Sequence, residues 1–210
     1  DYLYFPASLA ASISVSGDDG KSSSLALVGN DGVLGFTAAY GSERTAYDVV
    51  AINHGVAFRL RRELADWEFD QHSSLLWLVL RYGQVAMFSF AQTALCNQHH
   101  SVEQRLCSWF LGIADKAGEK YFTMTHAFMA GQLGVRREAI SEAAAELQSA
   151  GAIEYSRGKV TLRDLGTLRD RAFACGESIR KHQQQLHPTH ADTLWRYRVR
   201  PDPVSMRRLA

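Results

Sequence analysis

The chain has 210 residues, of which 46% are hydrophobic and 21% are charged, and its formal net charge is +1. This composition describes a folded globular chain long enough for two modest domains, and it excludes an intrinsically disordered protein. Charge is unevenly distributed, because residues 1–98 hold 6 basic and 10 acidic residues whereas residues 176–210 hold 7 and 3. A basic rear part suits contact with a polyanion and equally suits a solvated tail, so both interpretations remain open.

The first part of the chain, residues 1–72, is predicted to be rich in β-strands. Short apolar runs alternate with Gly, Asp and Asn turns, and SGDDGK at 16–21 is a strong hairpin signal. The opening residues, DYLYFP, already have strand character and carry no signal-peptide pattern, so we expect the natural chain to extend upstream. Six short strands without a long helix between them predict a sandwich or a roll. The strands are predicted at Leu3–Phe5, Ile13–Val15, Leu25–Val28, Val33–Phe36, Tyr47–Ile52 and Val56–Leu60.

A long apolar helix is predicted over residues 73–95, SSLLWLVLRYGQVAMFSFAQTAL. Its length would fit a membrane span, but Arg81, Gln84 and Gln92 argue against one, because burying an arginine at mid-bilayer is costly. A helix that is apolar on more than one face needs two partners, its own domain and a second chain. We therefore predict a dimerisation helix over residues 73–97, with a buried core helix of a monomer as the alternative.

The rear part, residues 98–186, is predicted to be mainly helical. A hinge is expected at 97–101, followed by a helix over 101–117 whose first residue is a serine suited to N-capping. Its apolar residues recur at helical spacing. A final helix is predicted over 165–186, and residues 187–210, with three prolines and scattered arginines, are expected to form an irregular basic tail.

The segment from Thr125 to Leu162 carries the most informative pattern of the chain. It predicts two short helices joined by a tight turn at Gly134, where a residue without Cβ adopts a positive φ at little cost. Arg136 and Arg137 open the second helix, which is where a helix-turn-helix places the side chains that contact the major groove of DNA. A three-helix packing unit in an enzyme subunit is the structural alternative.

The residue types in this segment fit recognition of DNA. Arginine contacts guanine O6 and N7 together, so Arg136 and Arg137 are candidates for base contacts. Glu138 could accept a hydrogen bond from cytosine, and Ser141, one turn later, could contact a base or a phosphate. A hairpin is predicted after Gly151, with Ile153–Tyr155 pairing with Val160–Leu162, and basic residues at a hairpin tip usually contact phosphate. The predicted DNA-binding residues are Arg136, Arg137, Glu138, Ser141, Thr125, Arg157 and Lys159.

The segment TMTHAFMAGQLGVRREAISEAAAELQSAGAIEYSRGKVTL resembles the DNA-binding domain of the Crp/Fnr family of bacterial transcription regulators. NQHHSVEQRLCSWFL resembles the helix that precedes this domain, and YFP, ALVGNDGVLG and GSERTA resemble the family's cyclic-nucleotide-binding-like β-roll. The resemblance implies an α+β fold with an N-terminal β-roll, a long dimerisation helix and a C-terminal winged helix-turn-helix. It also implies a homodimer that binds a palindromic operator in double-stranded DNA, and RNA polymerase is a further candidate partner.

The chain departs from the nucleotide-binding members of the family. Their Gly-Glu pair holds the ribose, but here Gly35 is followed by Phe36, which cannot accept a hydrogen bond. Arg44 and Thr45 match the Arg-Ser/Thr pair that holds the cyclic phosphate, and they are the candidate effector-binding residues. Loss of a hydrogen-bonding partner weakens recognition strongly, so we predict that cyclic AMP is not used in the usual way. In the recognition helix, Glu142 stands where some members have a third arginine.

No metal site or cofactor is predicted. Cys96, Cys107 and Cys175 are far apart and form no CxxC pair, and His99 with His100 has no convergent carboxylates nearby in sequence. His187 and His190 are three residues apart, but no carboxylate or cysteine converges on them, so they are not predicted to bind a metal. Neither a Ser–His–Asp signature nor a phosphate-binding glycine loop is present, so we predict no enzymatic activity.

Three functional hypotheses follow. The first is a homodimeric, sequence-specific DNA-binding regulator in the cytoplasm, with no association with membranes. The second is a small-molecule or cyclic-nucleotide sensor whose winged helix binds a protein. The third is a redox sensor that uses Cys96 or Cys107.

Overall fold

The computed structural model of the chain describes residues 2–18, 20–173 and 175–186. Its N-terminal part contains two antiparallel sheets, one with the strand order β1-β5 and one with the order β3-β2-β4. A 3-10 helix at Phe36–Tyr40 lies between β3 and β4, and helix α1 at Arg62–Asp70 follows β5. The strands are β1 (Tyr2–Pro6), β2 (Ala11–Ser16), β3 (Ser22–Val28), β4 (Asp48–Ala51) and β5 (Ala57–Arg61).

Five of the six predicted strands are confirmed, and the hairpin predicted at 16–21 joins β2 to β3. The strand predicted at Val33–Phe36 is wrong. Leu34 makes only an isolated bridge with Tyr4, after which Gly35 adopts a φ of 81° and starts the 3-10 helix. This turn directs Phe36 into the core, where its ring packs edge-on against Tyr82 at 5.6 Å between ring centroids.

Helix α2 covers Ser74–His99, so the predicted long helix is confirmed and is one turn longer than expected at its C-terminal end. The Ser73 hydroxyl caps it by accepting a hydrogen bond from the Leu75 backbone N–H. One side of α2 packs on the N-terminal core through Val79 and Ala86. Gly83 allows a close approach there, because a Cβ at this position would overlap the Tyr40 hydroxyl.

Another side of α2 carries an exposed apolar stripe. Its members recur at spacings of three and four residues, which places them on one helix face. By length and composition α2 could also cross a membrane, but one such helix is weak evidence, and the side of α2 that holds Val79 packs on the N-terminal core. The stripe comprises Met87, Ala91, Ala94 and Leu95.

The C-terminal part is built around α3 (Val102–Ala117) and a three-stranded sheet of order β6-β8-β7. Ser101 and Gln104 form the reciprocal bonds of a capping box, which confirms the predicted N-cap. The fully buried Phe110 lies at the centre of this second core. The remaining elements are β6 (Tyr121–Thr123), α4 (His126–Leu133), α5 (Arg137–Ser149), β7 (Ile153–Ser156), β8 (Lys159–Leu162), α6 (Leu165–Arg171) and α7 (Cys175–Leu186).

Two features of this part differ from the sequence-based expectation. Strand β6, which pairs with β8, was not predicted. The single helix predicted over 165–186 is wrong, because Ala172 adopts an extended conformation and ends α6. The chain then turns so that α7 packs back along α2, where His182 stacks on Phe88 with ring centroids 4.3 Å apart. The predicted tail at 187–210, including His187 and His190, lies outside the described residues.

Candidate nucleic-acid interface

Helices α4 and α5 form a helix-turn-helix whose geometry depends on Gly134. This glycine has a φ of 63°, as the sequence predicted, and the following Val135 donates its N–H to the Ala130 carbonyl at 3.0 Å. The two helices pack through the fully buried Met129 and Ile140. The tight turn and the shared core therefore fix the orientation in which α5 is presented on the protein surface.

The first turn of α5 presents charged side chains to solvent. Arg136 is the N-cap residue, and Arg137 and Glu138 are the first two helical residues. All three side chains are exposed, and Arg136 makes no side-chain capping bond. Glu138 also interacts favourably with the positive end of the helix dipole. The two predicted guanine-contacting arginines are therefore accessible at the position where a recognition helix enters the major groove.

The Ser141 side chain is half-buried, and its hydroxyl bonds to groups of the protein itself, which the sequence did not suggest. Its hydroxyl lies 2.9 Å from His126 Nδ1 and donates to the Arg137 carbonyl at 3.1 Å. The imidazole of His126 stacks on Tyr155 with ring centroids 4.3 Å apart. Burial, and then the charge of Arg137, lower the pKa of His126, which favours the neutral ring. This cluster joins the N-terminal ends of α4 and α5 to the hairpin, a role that the sequence did not indicate for His126.

The β7–β8 hairpin places two basic residues at its tip. Arg157 and Gly158 form the turn with φ values of 50° and 78°, the combination of a two-residue type I′ turn. Both Arg157 and Lys159 are exposed, as expected for residues that contact phosphate. The hairpin therefore forms a wing beside α5.

Two further residues complete the surface. The exposed Thr125 caps α4 by accepting a hydrogen bond from the Phe128 N–H at 3.1 Å. Glu142, which stands where some members of the Crp/Fnr family have a third arginine, is exposed. It lies four residues after Glu138 and hence on the same ridge of α5, so it is a candidate for base contact that the sequence analysis did not include.

The β2–β3 hairpin of the N-terminal part contacts this helix-turn-helix at the end of α4 and at the turn that follows. Ser22 donates its hydroxyl to the Gly131 carbonyl at 3.4 Å, and the Ser23 side chain lies close to Gly134. In addition, the Arg105 guanidinium of α3 donates to the Leu133 carbonyl at the C-terminal end of α4. The turn between α4 and α5 is thus connected both to the N-terminal part and to α3.

The candidate effector residues Arg44 and Thr45 belong to the N-terminal part of the chain. Both are exposed in the loop between the 3-10 helix and β4. The Thr45 hydroxyl accepts a hydrogen bond from the Tyr47 N–H at 3.1 Å and so stabilises the loop itself. The described part of the chain contains no group of three His, Cys, Asp or Glu side chains that could hold a metal ion.

A helix-turn-helix with exposed arginines on its second helix, joined to a basic wing, defines the class of winged helix-turn-helix proteins. Residues 104–171 match the family model of the Crp-like helix-turn-helix domain. No curated protein matches the chain in sequence.

Solved structures match about four-fifths of the chain. A transcriptional regulator of the CRP family from Thermus thermophilus shares 22% identity over 81% of this chain and 87% of its own, with a TM-score of 0.65. A protein assigned to the crp/fnr regulators from Eubacterium rectale shares 18% identity over 80% and 79%, with a TM-score of 0.64. FixK2 from Bradyrhizobium japonicum shares 15% identity over 83% and 88%, with a TM-score of 0.65.

These structural similarities establish the fold, and the family model identifies the domain. Residues 104–171 are a Crp-like helix-turn-helix domain, so this part of the chain is a DNA-binding domain. Its fold is that of the Crp/Fnr regulators, so the α+β architecture implied by the sequence resemblance is confirmed.

Proposed function

We propose that two copies of the chain bind a palindromic operator in duplex DNA, with the first turn of α5 from each copy in the major groove of one half-site. The exposed Arg136 and Arg137 support this proposal most directly, because their forked guanidinium groups match the O6 and N7 acceptors of guanine. Glu138 and Glu142 would accept hydrogen bonds from cytosine amino groups on the same ridge. Ser141, already bonded to His126, would position α5 and leave the base contacts to its neighbours.

Phosphate contacts would surround these base contacts. Arg157 and Lys159 on the wing are exposed and basic, and the N-terminal end of α4 at Thr125 presents backbone N–H groups to the DNA backbone. Such contacts fix the register of the protein on the duplex without choosing a sequence.

The exposed stripe on α2 supports the dimer. It lies away from the side that packs on the N-terminal core, so a second α2 can cover it. We assign residues 1–72 to a sensor-like β-roll, 73–97 to dimerisation and 98–186 to DNA binding. The proposal implies a cytoplasmic transcription regulator that has no catalytic activity and acts on RNA polymerase.

Selection of bound fragments from a random DNA pool tests the proposal. We expect a palindromic consensus whose half-sites lie about one helical repeat, 34–36 Å, apart. A consensus with a single half-site would argue against the dimer, and recovery of unrelated fragments would argue against specific recognition.

Replacing Lys159 with Ala should weaken binding to all DNA sequences alike. Each phosphate that is no longer neutralised reduces the slope of log K against log salt by about 0.9, so removing one lysine per subunit should flatten the slope by about 2. Arg157→Asn is the matched wing variant, because asparagine tolerates the positive φ of this turn while removing the charge. Fluorescence anisotropy at several salt concentrations measures both slopes. An unchanged slope for both variants would show that the wing does not contact phosphate.

A further inference from the structure

Helix α7 (Cys175–Leu186), here named the strap, connects the DNA-binding part of the chain to α2. It lies outside the segment 104–171 that matches the helix-turn-helix family, and it packs along α2. His182 of the strap stacks on Phe88 of α2 with ring centroids 4.3 Å apart. A helix that follows the DNA-binding domain in the chain and rests on α2 restricts how that domain can rotate relative to α2.

A second contact of this kind lies at the hinge between α2 and α3. His100 ends α2 in an extended conformation, with φ −115° and ψ 145°, and α3 begins at Val102. The His100 ring stacks on Phe173, which lies between α6 and α7, with ring centroids 3.6 Å apart. Domain rotations use a few residues at the ends of elements as hinges. A rotation about this hinge would move Phe173 with the DNA-binding domain and break the stack.

The strap leaves the DNA-binding surface uncovered. The basic residues at the start of α5 and at the tip of the wing are exposed while α7 is docked, namely Arg136, Arg137, Arg157 and Lys159. A helix that blocked DNA would have to cover these side chains. The docked strap therefore acts on the orientation of α5 and not on its access to DNA.

The inner face of the strap is only partly packed. Ile179 and Arg180 line a cavity of about 450 Å³ whose other walls include β3, α2 and α3. Ile179 is half-buried, whereas Phe110 of α3 is fully buried. Elements with few buried apolar contacts open at a low free-energy cost. The strap should therefore detach from α2 more readily than α3 leaves its own core.

We propose that the strap holds the DNA-binding domain in one orientation on α2 and so pre-organises a dimer for contact with both half-sites of an operator. A domain whose orientation is already fixed loses less conformational freedom on binding than one that rotates about the hinge. The second half-site gains most, because it is bound intramolecularly and depends on where the second domain is held. The pre-organisation rests on the proposed dimeric DNA binding, whereas the docking of the strap on α2 does not.

Hydrogen exchange of the full chain, followed by mass spectrometry, tests the docking. We expect the strap amides of the wild-type chain to be protected but to exchange faster than those of α3. Ile179→Asp places a carboxylate on the half-buried inner face, so it should abolish protection of the strap and leave α3 protected. Strap amides that exchange as slowly as those of α3 would contradict the low cost of opening. Full protection of the strap in Ile179→Asp would contradict docking through this face.

Gln184→Asp is the matched control for this experiment. It adds the same charge to the same helix, but Gln184 lies on the exposed face of the strap. Its position near the C-terminal end makes a carboxylate at least as unfavourable for the isolated helix as one at residue 179. We expect the strap to keep its protection in this variant. Equal loss of protection in both variants would show that the strap is lost through helix propensity and not through docking.

Anisotropy titrations with selected operator DNA and with an isolated half-site test the pre-organisation. We expect Ile179→Asp to weaken operator binding at least about fivefold, to leave the isolated half-site unaffected and to remain dimeric in light scattering. Operator binding that is unchanged or stronger would overturn the proposal. Equal weakening on both duplexes would also overturn it, because the damage would then lie within the DNA-binding domain. A monomeric variant would do so by assigning α7 to the dimer interface.

Phe173→Ala gives an independent test at the hinge. Phe173 is 50% exposed, so its removal should leave the fold intact while it abolishes the stack on His100. We expect weaker operator binding and an unchanged isolated half-site, as in Ile179→Asp but with a smaller loss. Wild-type operator affinity in Phe173→Ala would remove the hinge contact from the proposal. If the wild-type chain bound no DNA at all, the proposed function would fail, while hydrogen exchange would still decide whether the strap is docked.

Discussion

An Arg137→Ala variant should lose about 1–3 kcal/mol of specific binding free energy at each half-site, which is about a 5- to 150-fold weaker interaction. The reason is the loss of two parallel hydrogen bonds from one guanidinium to guanine O6 and N7. The folded structure should not change, because the side chain is exposed and the bond from Ser141 goes to the Arg137 backbone carbonyl. Anisotropy titrations with selected operator DNA and with a scrambled duplex measure the two affinities.

Two matched variants separate base contact from charge. Arg137→Lys keeps the charge but cannot form the fork, so it should bind scrambled DNA normally and still lose preference for the operator. Arg61→Ala removes an exposed arginine from the N-terminal part and should change neither affinity. Equal losses on both duplexes for Arg137→Ala would instead assign this residue to a phosphate, and no loss would remove it from the interface.

Features of the fold that depend on local chemistry were predictable from the sequence. The capping box at Ser101, the positive φ of Gly134 and the hairpin between Ile153 and Leu162 each require residue types that the sequence displays at fixed spacing. The apolar residues of α5 recur at helical spacing and are buried. That spacing likewise predicts that Arg136 and Arg137, which lie off the apolar face, are exposed.

Features that depend on distant contacts were not predictable. Ala172 has no helix-breaking character of its own, and the helix ends there because α7 turns back to pack on α2. Phe36 belongs to an apolar run that resembles a strand, but the core position beside Tyr82 determines its conformation. The bond between His126 and Ser141 spans 15 residues, so no local pattern could assign Ser141 to internal positioning.

Met87→Glu should disrupt dimerisation through α2, and this is the second large effect that we expect. Met87 is 58% exposed at the start of the apolar stripe, and a two-fold axis along α2 would place it near its counterpart in the partner. Two facing carboxylates would repel each other and replace an apolar surface with charge, so the 23.4 kDa monomer should appear in light scattering where the wild-type chain gives a dimer.

The consequence for DNA binding follows from the geometry of two linked sites. A dimer binds its second half-site as an intramolecular event, which raises the overall affinity by about 10²–10⁴ over one domain alone. Met87→Glu should therefore weaken operator binding by about that factor while leaving affinity for an isolated half-site unchanged. Leu78→Glu is the control, because Leu78 is 50% exposed but lies nine residues away, about two and a half turns, and hence on the opposite side of α2. A Met87→Glu chain that stayed dimeric and bound the operator normally would show that another surface joins the two copies.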